Sequence, residues 1–426
     1  MSKLTMSILT ALALVLPAYG AVDLPTNRPI TVQECISYAL EHHNDVLAAE
    51  QDLRASKAGV QAARSGYMPY IYAGSDYSDG GTTGGSYLGS GDSKGTKSTV
   101  GIQETLYDGG RTLTSIRQAS AQATVSEAEM DLTRQARILS VTTAYFDSLR
   151  SKRLAEIAAG TVKESQQQLE MIQARIDAGD AAKVDRYPVE VQLANTRLNQ
   201  LQAENEVRLA ANTLRNAMGL GRGPMLPLVD LQEPTDEVPA LEECLTVALK
   251  QRPELVRSSA QVTSAQASLW LAKVQRLPVP TISAGYERGL GGTEYDGQWS
   301  VGIGVTMNIF DAGSAAAEVT SSKARVDSTA LKADQLLKDI CTEVEQAYLN
   351  LTNARERLAA SRPSVELAQT NLEVAREKYR QELAIPLEIV SAEVSYADAQ
   401  ASHAQALYDS YIAQAQLDKA IGKRGY

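Results

Sequence analysis

The sequence predicts a mainly α-helical protein with a small β part, built from two copies of a helix–strand–strand–long helix–helix unit. Three observations support this fold class. Residues 300–311 alternate between apolar and small polar side chains, the two halves of the chain repeat each other, and segments such as 111–177 contain few helix-breaking residues.

The alternating stretch predicts a β-strand. Every second residue from Val301 to Ile309 is apolar, and small polar or glycine residues stand between them. This pattern is typical of a strand with one apolar and one polar face. On this window alone, a strand of a soluble β-sandwich is the more common interpretation. A membrane-spanning interpretation depends on the surroundings, because long polar helices make up most of the rest and offer no layer to cover the apolar face.

An internal repeat divides the chain into two similar halves. Residues 100–110 match 303–313 at an offset of 203, and residues 32–66 match 241–275 at an offset of 209. A repeat that keeps its register over this length predicts a duplicated structural unit. Gly160 falls at the position of Pro363, so the single helix-breaking residue of each long helix is also repeated.

The repeat gives the predicted domain organisation. Residues 1–21 have the pattern of a secretory signal peptide, with Lys3 before a short apolar run and small residues at the end. We expect one helix over residues 31–66. The remaining ranges are a first repeat at 22–218 with strands at about 70–77 and 98–107, a proline-containing linker at 219–239, and a second repeat at 240–426 with strands at about 279–287 and 299–310.

Composition excludes several functional classes. The net charge of −10 argues against a nucleic-acid partner. After the signal peptide, no stretch approaches the roughly 20 apolar residues of a spanning helix, so a membrane crossing would have to use strands. Cys35, Cys244 and Cys341 form no disulfide framework, and the first two are expected to be small buried helix residues.

No enzymatic or metal site emerges from the residues. His42 and His43 are adjacent on a helix and point in different directions, so a metal site is not predicted, and no cofactor is expected. The glycine-rich run at 79–96 lacks a phosphate-binding motif. Asp108 and Asp311 are expected to cap the helices that follow them. The sequence therefore predicts a protein without catalytic residues.

The strand count predicts an assembly of several chains. Each repeat supplies two strands, so one chain has four, whereas spanning barrels begin at about eight strands. Open strand edges are too costly in hydrocarbon to leave unpaired. Two chains would give a narrow barrel and three would give twelve strands around a wide lumen. Small polar residues on the face expected to point inward favour the trimer; they are Gly101, Gln103, Thr281, Ser283 and Gly302.

The long helices carry an apolar seam. Leu337, Ile340, Val344, Ala347 and Leu351 follow the 3-4 spacing of coiled-coil packing. A helix of this length would extend about 100 Å. The helical part is therefore expected to be elongated.

Taken together, the chain resembles the TolC-type outer-membrane efflux and secretion channels. The resemblance covers nearly everything after the signal peptide. It is carried by the duplicated unit, by Gly66-Tyr-Met-Pro69, by the turns at 107–110 and 310–313, and by the turn from Gly179 to Asp185. It implies a homotrimer with a twelve-stranded outer-membrane barrel on a long periplasmic α-helical barrel. It also implies a periplasmic adaptor protein and an inner-membrane transporter as partners, and the outer-membrane lipid as surroundings.

The resemblance further implies a gate at the periplasmic helix tips. Tyr379 stands at the family's aromatic position and Glu388 at its first acidic one, with Asp185 as the counterpart in the first repeat. Ser391 stands where a second acid is common, and Ala384 where an arginine can occur. Three Glu388 carboxylates around one axis would favour cations. The residues expected to contact the adaptor are Gly179, Asp180, Glu382 and Leu383.

Alternatives remain open at this point. Glu388 and Asp185 could be ordinary acids at helix N-termini, where the helix dipole stabilises them. The whole chain could be a periplasmic coiled-coil scaffold or an adhesin-like stalk, with its four strands in a small soluble domain. Within the channel interpretation, the sequence does not distinguish export of drugs, metal ions or proteins.

Overall fold

The computed structural model describes residues 28–80, 93–230, 238–290, 297–381 and 383–423. The order of the helices and strands confirms a mainly helical fold made of a duplicated unit. The helices are α1 (Val32–His42), α2 (Asn44–Arg64), α3 (Arg111–Ala178), α4 (Arg186–Ala217), α5 (Leu241–Gln251), α6 (Pro253–Val274), α7 (Ser314–Arg380) and α8 (Pro386–Ala420), and the strands are β1 (Tyr70–Gly80), β2 (Ser93–Thr105), β3 (Val279–Leu290) and β4 (Gln298–Thr306).

The first predicted helix of each repeat is two helices, so the expectation of one helix over 31–66 is wrong. The backbone is extended at His43, between α1 and α2, and again at Arg252, between α5 and α6. These two residues are equivalent in the repeat. The residues that follow α4 and α8 pack against these two breaks. Gly219 packs at His43 and Gly422 packs at Arg252, and both glycines have the left-handed conformation.

The two long helices continue through the expected breakers. α3 has 68 residues and includes Gly160, and α7 has 67 residues and includes Pro363, so the predicted long helices are continuous through both residues. Pro363 lies on an exposed face. The missing hydrogen bond there is offset by the packing of the opposite face of α7 against its neighbours. Each helix therefore extends about 100 Å.

The four strands form one antiparallel sheet in the order β1-β2-β3-β4. β2 pairs with β3, so the sheet joins the two repeats, while β1 and β4 are its edges. β2 ends at Thr105 and β4 at Thr306, before the predicted ends at 107 and 310. β4 ends there because its last partner is Val279, the first residue of β3.

Both predicted helix caps are confirmed. The Asp108 carboxylate accepts hydrogen bonds from the backbone N–H groups of Gly110 and Thr112. In the second repeat the Asp311 carboxylate accepts from the N–H groups of Gly313 and Ala315, at 3.1 and 3.0 Å. These bonds fix the direction in which each long helix leaves the sheet.

The buried side chains form separate clusters along the helices. One cluster surrounds Tyr145, whose hydroxyl donates to the carbonyl oxygens of Ile30 and Val229 at 3.0 and 2.6 Å. An equivalent cluster in the second repeat contains Cys244 and Leu351. The predicted seam on α7 is buried at Ile340, Val344, Ala347 and Leu351, whereas Leu337 is exposed. Cys35 and Cys244 are buried and free, and Cys341 is also free.

Candidate functional site

The helices α3 and α4 form one long helical hairpin, and α7 and α8 form a second. The candidate site lies at the turns of these two hairpins. α3 starts beside the end of β2 and α7 beside the end of β4, at the same end of the sheet. Their far ends meet, because Arg175 near the end of α3 contacts Tyr379 near the end of α7. Each turn therefore lies about 100 Å along the helices from the sheet. We call residues 175–191 and 375–393 together the tip.

The first turn is a left-handed glycine cap. α3 ends at Gly179, with φ of 87°. The N–H of Asp180 donates to the carbonyl oxygen of Arg175 at 2.9 Å, which satisfies one of the last helix carbonyls. Gly179 and Asp180 are both exposed. They form a tight projecting corner between α3 and the short 3₁₀ helix at Lys183–Asp185.

The second turn closes differently. α7 ends at Gln381, with φ of −87°, so its cap residue is not left-handed. The N–H of Leu383 donates to the carbonyl oxygen of Lys378 at 2.8 Å, and the Leu383 side chain is 73% exposed. Glu382 lies outside the described residues. The two turns thus present different surfaces at the tip.

Tyr379 ties the two hairpins together. It is buried in a cluster that also contains Ile172 and Ile389. The Arg175 guanidinium carbon lies 4.9 Å from the centre of the Tyr379 ring, and the guanidinium donates to the Tyr379 carbonyl oxygen at 3.4 Å. A cation over an aromatic face is stabilising at this distance. Arg175 was not among the residues singled out from the sequence.

The two acids expected at the gate have different surroundings. The Asp185 carboxylate accepts from the N–H of Ala182 at 3.2 Å, across the short 3₁₀ helix, and makes no side-chain cap bond to α4. Glu388 lies exposed in the first turn of α8. Among the described residues of the one chain, the Glu388 side chain has neither a hydrogen bond nor an ion pair. Ser391 is exposed and Ala384 packs against the tip cluster.

An ionic cluster around the buried Glu393 lies next to Tyr379, since its cation, Arg376, is one helical turn before that residue. The Arg376 guanidinium donates to Glu393 at 3.2 Å and to Glu164 at 3.0 Å, which joins α8, α7 and α3. The Gln168 amide, oriented with its nitrogen towards Glu393, donates to both carboxylate oxygens at 2.8 and 3.0 Å. Burial raises the pKa of Glu393, Arg376 lowers it, and the nearby Glu164 charge raises it further, with a net shift upwards.

The sequence held a weak signal for this cluster. Glu393 follows Ile389 by four residues, so it lies on the stripe of α8 that is otherwise apolar. A single acid on such a stripe needs a buried partner. The partners of Glu393 are Gln168, on the distant α3, and Arg376, 17 residues away on α7, and the sequence pattern does not connect them.

The sheet has two chemically distinct faces. Successive rows of residues paired across the four strands point to opposite faces of the sheet. One face holds the row Ile71, Ile102, Ala284 and Val301. The other face holds the row Tyr70, Gln103, Ser283 and Gly302. We call these the apolar face and the polar face. All five residues predicted to point inward lie on the polar face. Val301, Ile303 and Val305 of the apolar face are between 64% and 73% exposed in the single chain.

Aromatic side chains lie at both ends of the apolar face. Tyr286 and Trp299 pair near one end and are 48% and 78% exposed. Beyond the other end, Tyr107 and Phe310 are 59% and 88% exposed. Residues 300–309 separate Trp299 from Phe310, and these ten residues match the about 9–11 of a tilted membrane-spanning strand. None of the described helices is long and apolar enough to cross a membrane.

A two-faced sheet with a membrane-sized apolar band, carried on helices about 100 Å long, defines a channel of the outer-membrane type. The family model described as "Outer membrane efflux protein" matches residues 35–220 and 244–423. The chain belongs to this family, as its resemblance to TolC-type channels implied. It is therefore an outer-membrane transport channel that extends into the periplasm, and the family favours this over the scaffold alternative.

Characterised relatives match most of the chain at low identity. The outer membrane efflux protein BepC of Brucella suis is 23% identical over 384 residues, which cover 87% of this chain and 82% of that protein. The alkaline protease secretion protein AprF of Pseudomonas aeruginosa is 22% identical over 393 residues, covering 89% and 82%. The outer membrane protein TolC of Escherichia coli is 21% identical over 393 residues, covering 88% and 78%.

Solved structures share the fold. The outer membrane protein VceC of Vibrio cholerae superimposes with a TM-score of 0.77 at 17% identity, covering 92% of this chain and 96% of that one. The CmeC outer membrane channel of Campylobacter jejuni gives 0.78 at 16% identity, covering 95% and 90%. These likenesses confirm the predicted fold class.

Proposed function

We propose that three copies of this chain close a twelve-stranded barrel and form the exit duct of a tripartite efflux pump or a type I secretion system. The observation that carries the proposal is the two-faced sheet with two open edges, β1 and β4. Each unpaired N–H or C=O would cost several kcal/mol in hydrocarbon. Pairing β4 of one copy with β1 of the next removes every open edge.

Exposed apolar stripes on the helices support the same assembly. Val184, Tyr187 and Val191 lie on one stripe that continues along α4, and each is at least 60% exposed. On α7, Leu331 and Leu367 are 72% and 70% exposed. Unpartnered apolar stripes of this length favour contact with another helix. In the proposed trimer, neighbouring copies cover them.

The tip is the proposed gate. Three copies would bring three exposed Glu388 carboxylates around one axis, where they favour cations and repel one another. Asp185 adds a second acid that its bond to Ala182 holds in place. The Arg175–Tyr379 contact and the Arg376 ion pairs join the two hairpins within one copy. Opening the duct would require these contacts to shift.

The proposed partners are a periplasmic adaptor protein and an inner-membrane transporter. The adaptor would contact Gly179 and Asp180 in the first repeat, and Glu382 and Leu383 in the second. Beside them, Ile385 and Leu387 are 58% and 55% exposed. Exposed apolar side chains at the end of an elongated molecule suit a docking surface.

Planar-bilayer recordings of the purified full-length protein test the proposal. We expect discrete single-channel steps with a preference for cations. Glu388→Ala should raise the conductance or weaken the cation preference, because it removes three charges from one constriction. Glu345→Ala is the matched control, since Glu345 is an exposed acid in the middle of α7. Wild-type protein that gives no steps would refute the channel, and an unchanged Glu388→Ala channel would refute the gate.

A further inference from the structure

Tyr70 and Tyr72 form the only stacked aromatic pair within the described strands. Their ring centroids are 5.9 Å apart and the ring planes differ by 19°. The two residues are separated by one position on β1, so both lie on the polar face of the sheet. Tyrosine is unusual on this face, because the residues paired across the sheet at the level of Tyr70 are uncharged and not aromatic: Gln103, Ser283 and Gly302.

The polar face beneath the rings is flat. Tyr72 pairs with Gly101, which pairs with Gly285, which in turn pairs with Ser300. A Cβ atom at Gly101 would stand 2.5 Å from the Tyr72 ring, closer than two carbon atoms can approach. The ring therefore lies directly over the glycine backbone, and any larger residue at 101 would displace it.

Nothing in the proposed assembly would cover the rings. Tyr70 is 67% exposed and Tyr72 is 38% exposed in the single chain. The strand that would pair with the open edge of β1 is β4 of a neighbouring copy. On the polar face, β4 carries Gln298, Ser300, Gly302, Gly304 and Thr306. These side chains are too small to bury two tyrosines.

The charges on the same face favour a cation. Asp76 lies on the polar face of β1, beyond Tyr72. Lys97 and Glu287 form an ion pair across the face, with Nζ and Oε2 2.8 Å apart. These three side chains together carry one net negative charge per copy, and three copies would triple it. Cations are attracted both by this field and by the faces of aromatic rings.

We propose that the Tyr70–Tyr72 pairs of three copies form a ring of six tyrosines in the channel and bind planar aromatic cations during their passage. This inference rests on the proposed trimeric channel. The chemistry required of the ligand is a flat π-system for stacking and a delocalised positive charge. Tyr70 and Tyr72 supply the aromatic faces, and the glycine floor leaves room for the ligand to lie alongside them.

Current block in planar bilayers tests the site, with ethidium as the aromatic cation and tetrabutylammonium as a cation without a π-system. We expect ethidium to block wild-type channels reversibly. The double variant Tyr70→Leu/Tyr72→Leu should raise the half-blocking concentration of ethidium about tenfold and leave block by tetrabutylammonium unchanged. Tyr70→Phe/Tyr72→Phe should keep the ethidium block, because the ring faces remain.

Tyr77→Ala is the matched control. Tyr77 is a tyrosine of the same strand, but it lies on the apolar face, and its removal should leave ethidium block as in the wild type. Channel steps from each variant show that it has folded and inserted. If the wild type gives no steps, the proposed function falls and this site with it. If channels form but the leucine variant is blocked as readily as the wild type, only the tyrosine site is overturned.

Discussion

Asp108 and Asp311 cap α3 and α7 through the same pair of backbone N–H groups, whereas the far ends of these helices close in two different ways. α3 ends at the left-handed Gly179, and α7 ends at Gln381 without a left-handed cap. The repeats are thus alike where the helices leave the sheet and unlike at the tip. The two repeats share the backbone geometry of the caps beside the sheet. They differ at the turns of the tip, where the chain would contact other proteins.

The glycines at the helix breaks also differ from the glycine at the tip. Gly219 packs on His43, and Gly422 packs on Gln251 and Arg252. A Cβ at Gly422 would stand 3.0 Å from the backbone of both residues, and one at Gly219 would stand 3.2 Å from the Cα of His43. Gly179 has nothing within 4 Å of its Cβ position. These three glycines share a positive φ and differ in the space around them.

The largest expected effect comes from Gly422→Ala. It adds left-handed strain of about 1–2 kcal/mol and overpacking of about 1–3 kcal/mol. Gly179→Ala, the matched control, adds only the strain. We expect the thermal unfolding midpoint, followed by circular dichroism in detergent, to fall most for Gly422→Ala, less for Gly219→Ala and least for Gly179→Ala. Equal losses for all three would show that packing at the helix break contributes nothing.

A second effect concerns the ionic cluster of the tip. Arg376→Ala leaves Glu393 buried without its cationic partner, and we expect a loss of about 1–3 kcal/mol, since Arg376 is itself partly exposed to solvent. Adding Glu393→Gln should recover most of that loss, because the buried charge is then gone. The thermal unfolding midpoints of the single and the double variant measure the loss of stability and its recovery. A double variant no better than Arg376→Ala would rule out the unpaired charge as the cause.

The helix caps test how alike the two repeats are at the sheet end. Asp108→Ala and Asp311→Ala each remove two hydrogen bonds to the first turn of a long helix, at a cost of about 1 kcal/mol. Asp311 also bonds Arg276 at 2.8 Å, but this pair is largely exposed and adds little. We expect similar shifts of the midpoint for the two variants. A large difference between them would contradict the equivalence.

The smallest effect is a pH dependence. The pKa of Glu393 is raised in the folded state, mainly because burial disfavours its charge. The folded protein therefore binds this proton more tightly than the unfolded chain, and its contribution to stability falls as the pH rises from about 4.5 through the folded-state pKa. Glu393→Gln removes that loss. Over this pH range, the unfolding midpoint of Glu393→Gln should rise relative to that of the wild type as the pH increases. A difference in midpoint that does not change with pH would contradict this prediction.

Local pattern was sufficient for the fold class, the strands and both aspartate caps. The helix breaks at His43 and Arg252 were missed, although Pro253 at the first position of α6 marks a helix start. Applying the repeat offset of 209 to Arg252 would have located the break at His43 as well.

The contacts of the tip were beyond the reach of sequence patterns. Arg175 and Tyr379 are 204 residues apart, and the pairing of Arg376 with Glu164 and Glu393 depends on how three helices pack. One chain also leaves Glu388 without a partner among the described residues. The proposed role of Glu388 depends on its copies in the assembly, which neither the sequence nor one chain brings together.

The proposed duct depends on the number of chains in one barrel, of which each supplies one third. Native mass spectrometry of the protein extracted from outer membranes in mild detergent measures it directly. We expect a single species with three times the mass of the mature chain, and no monomer under conditions that keep the protein folded. A folded monomer, or an assembly with another number of copies, would refute the trimeric barrel.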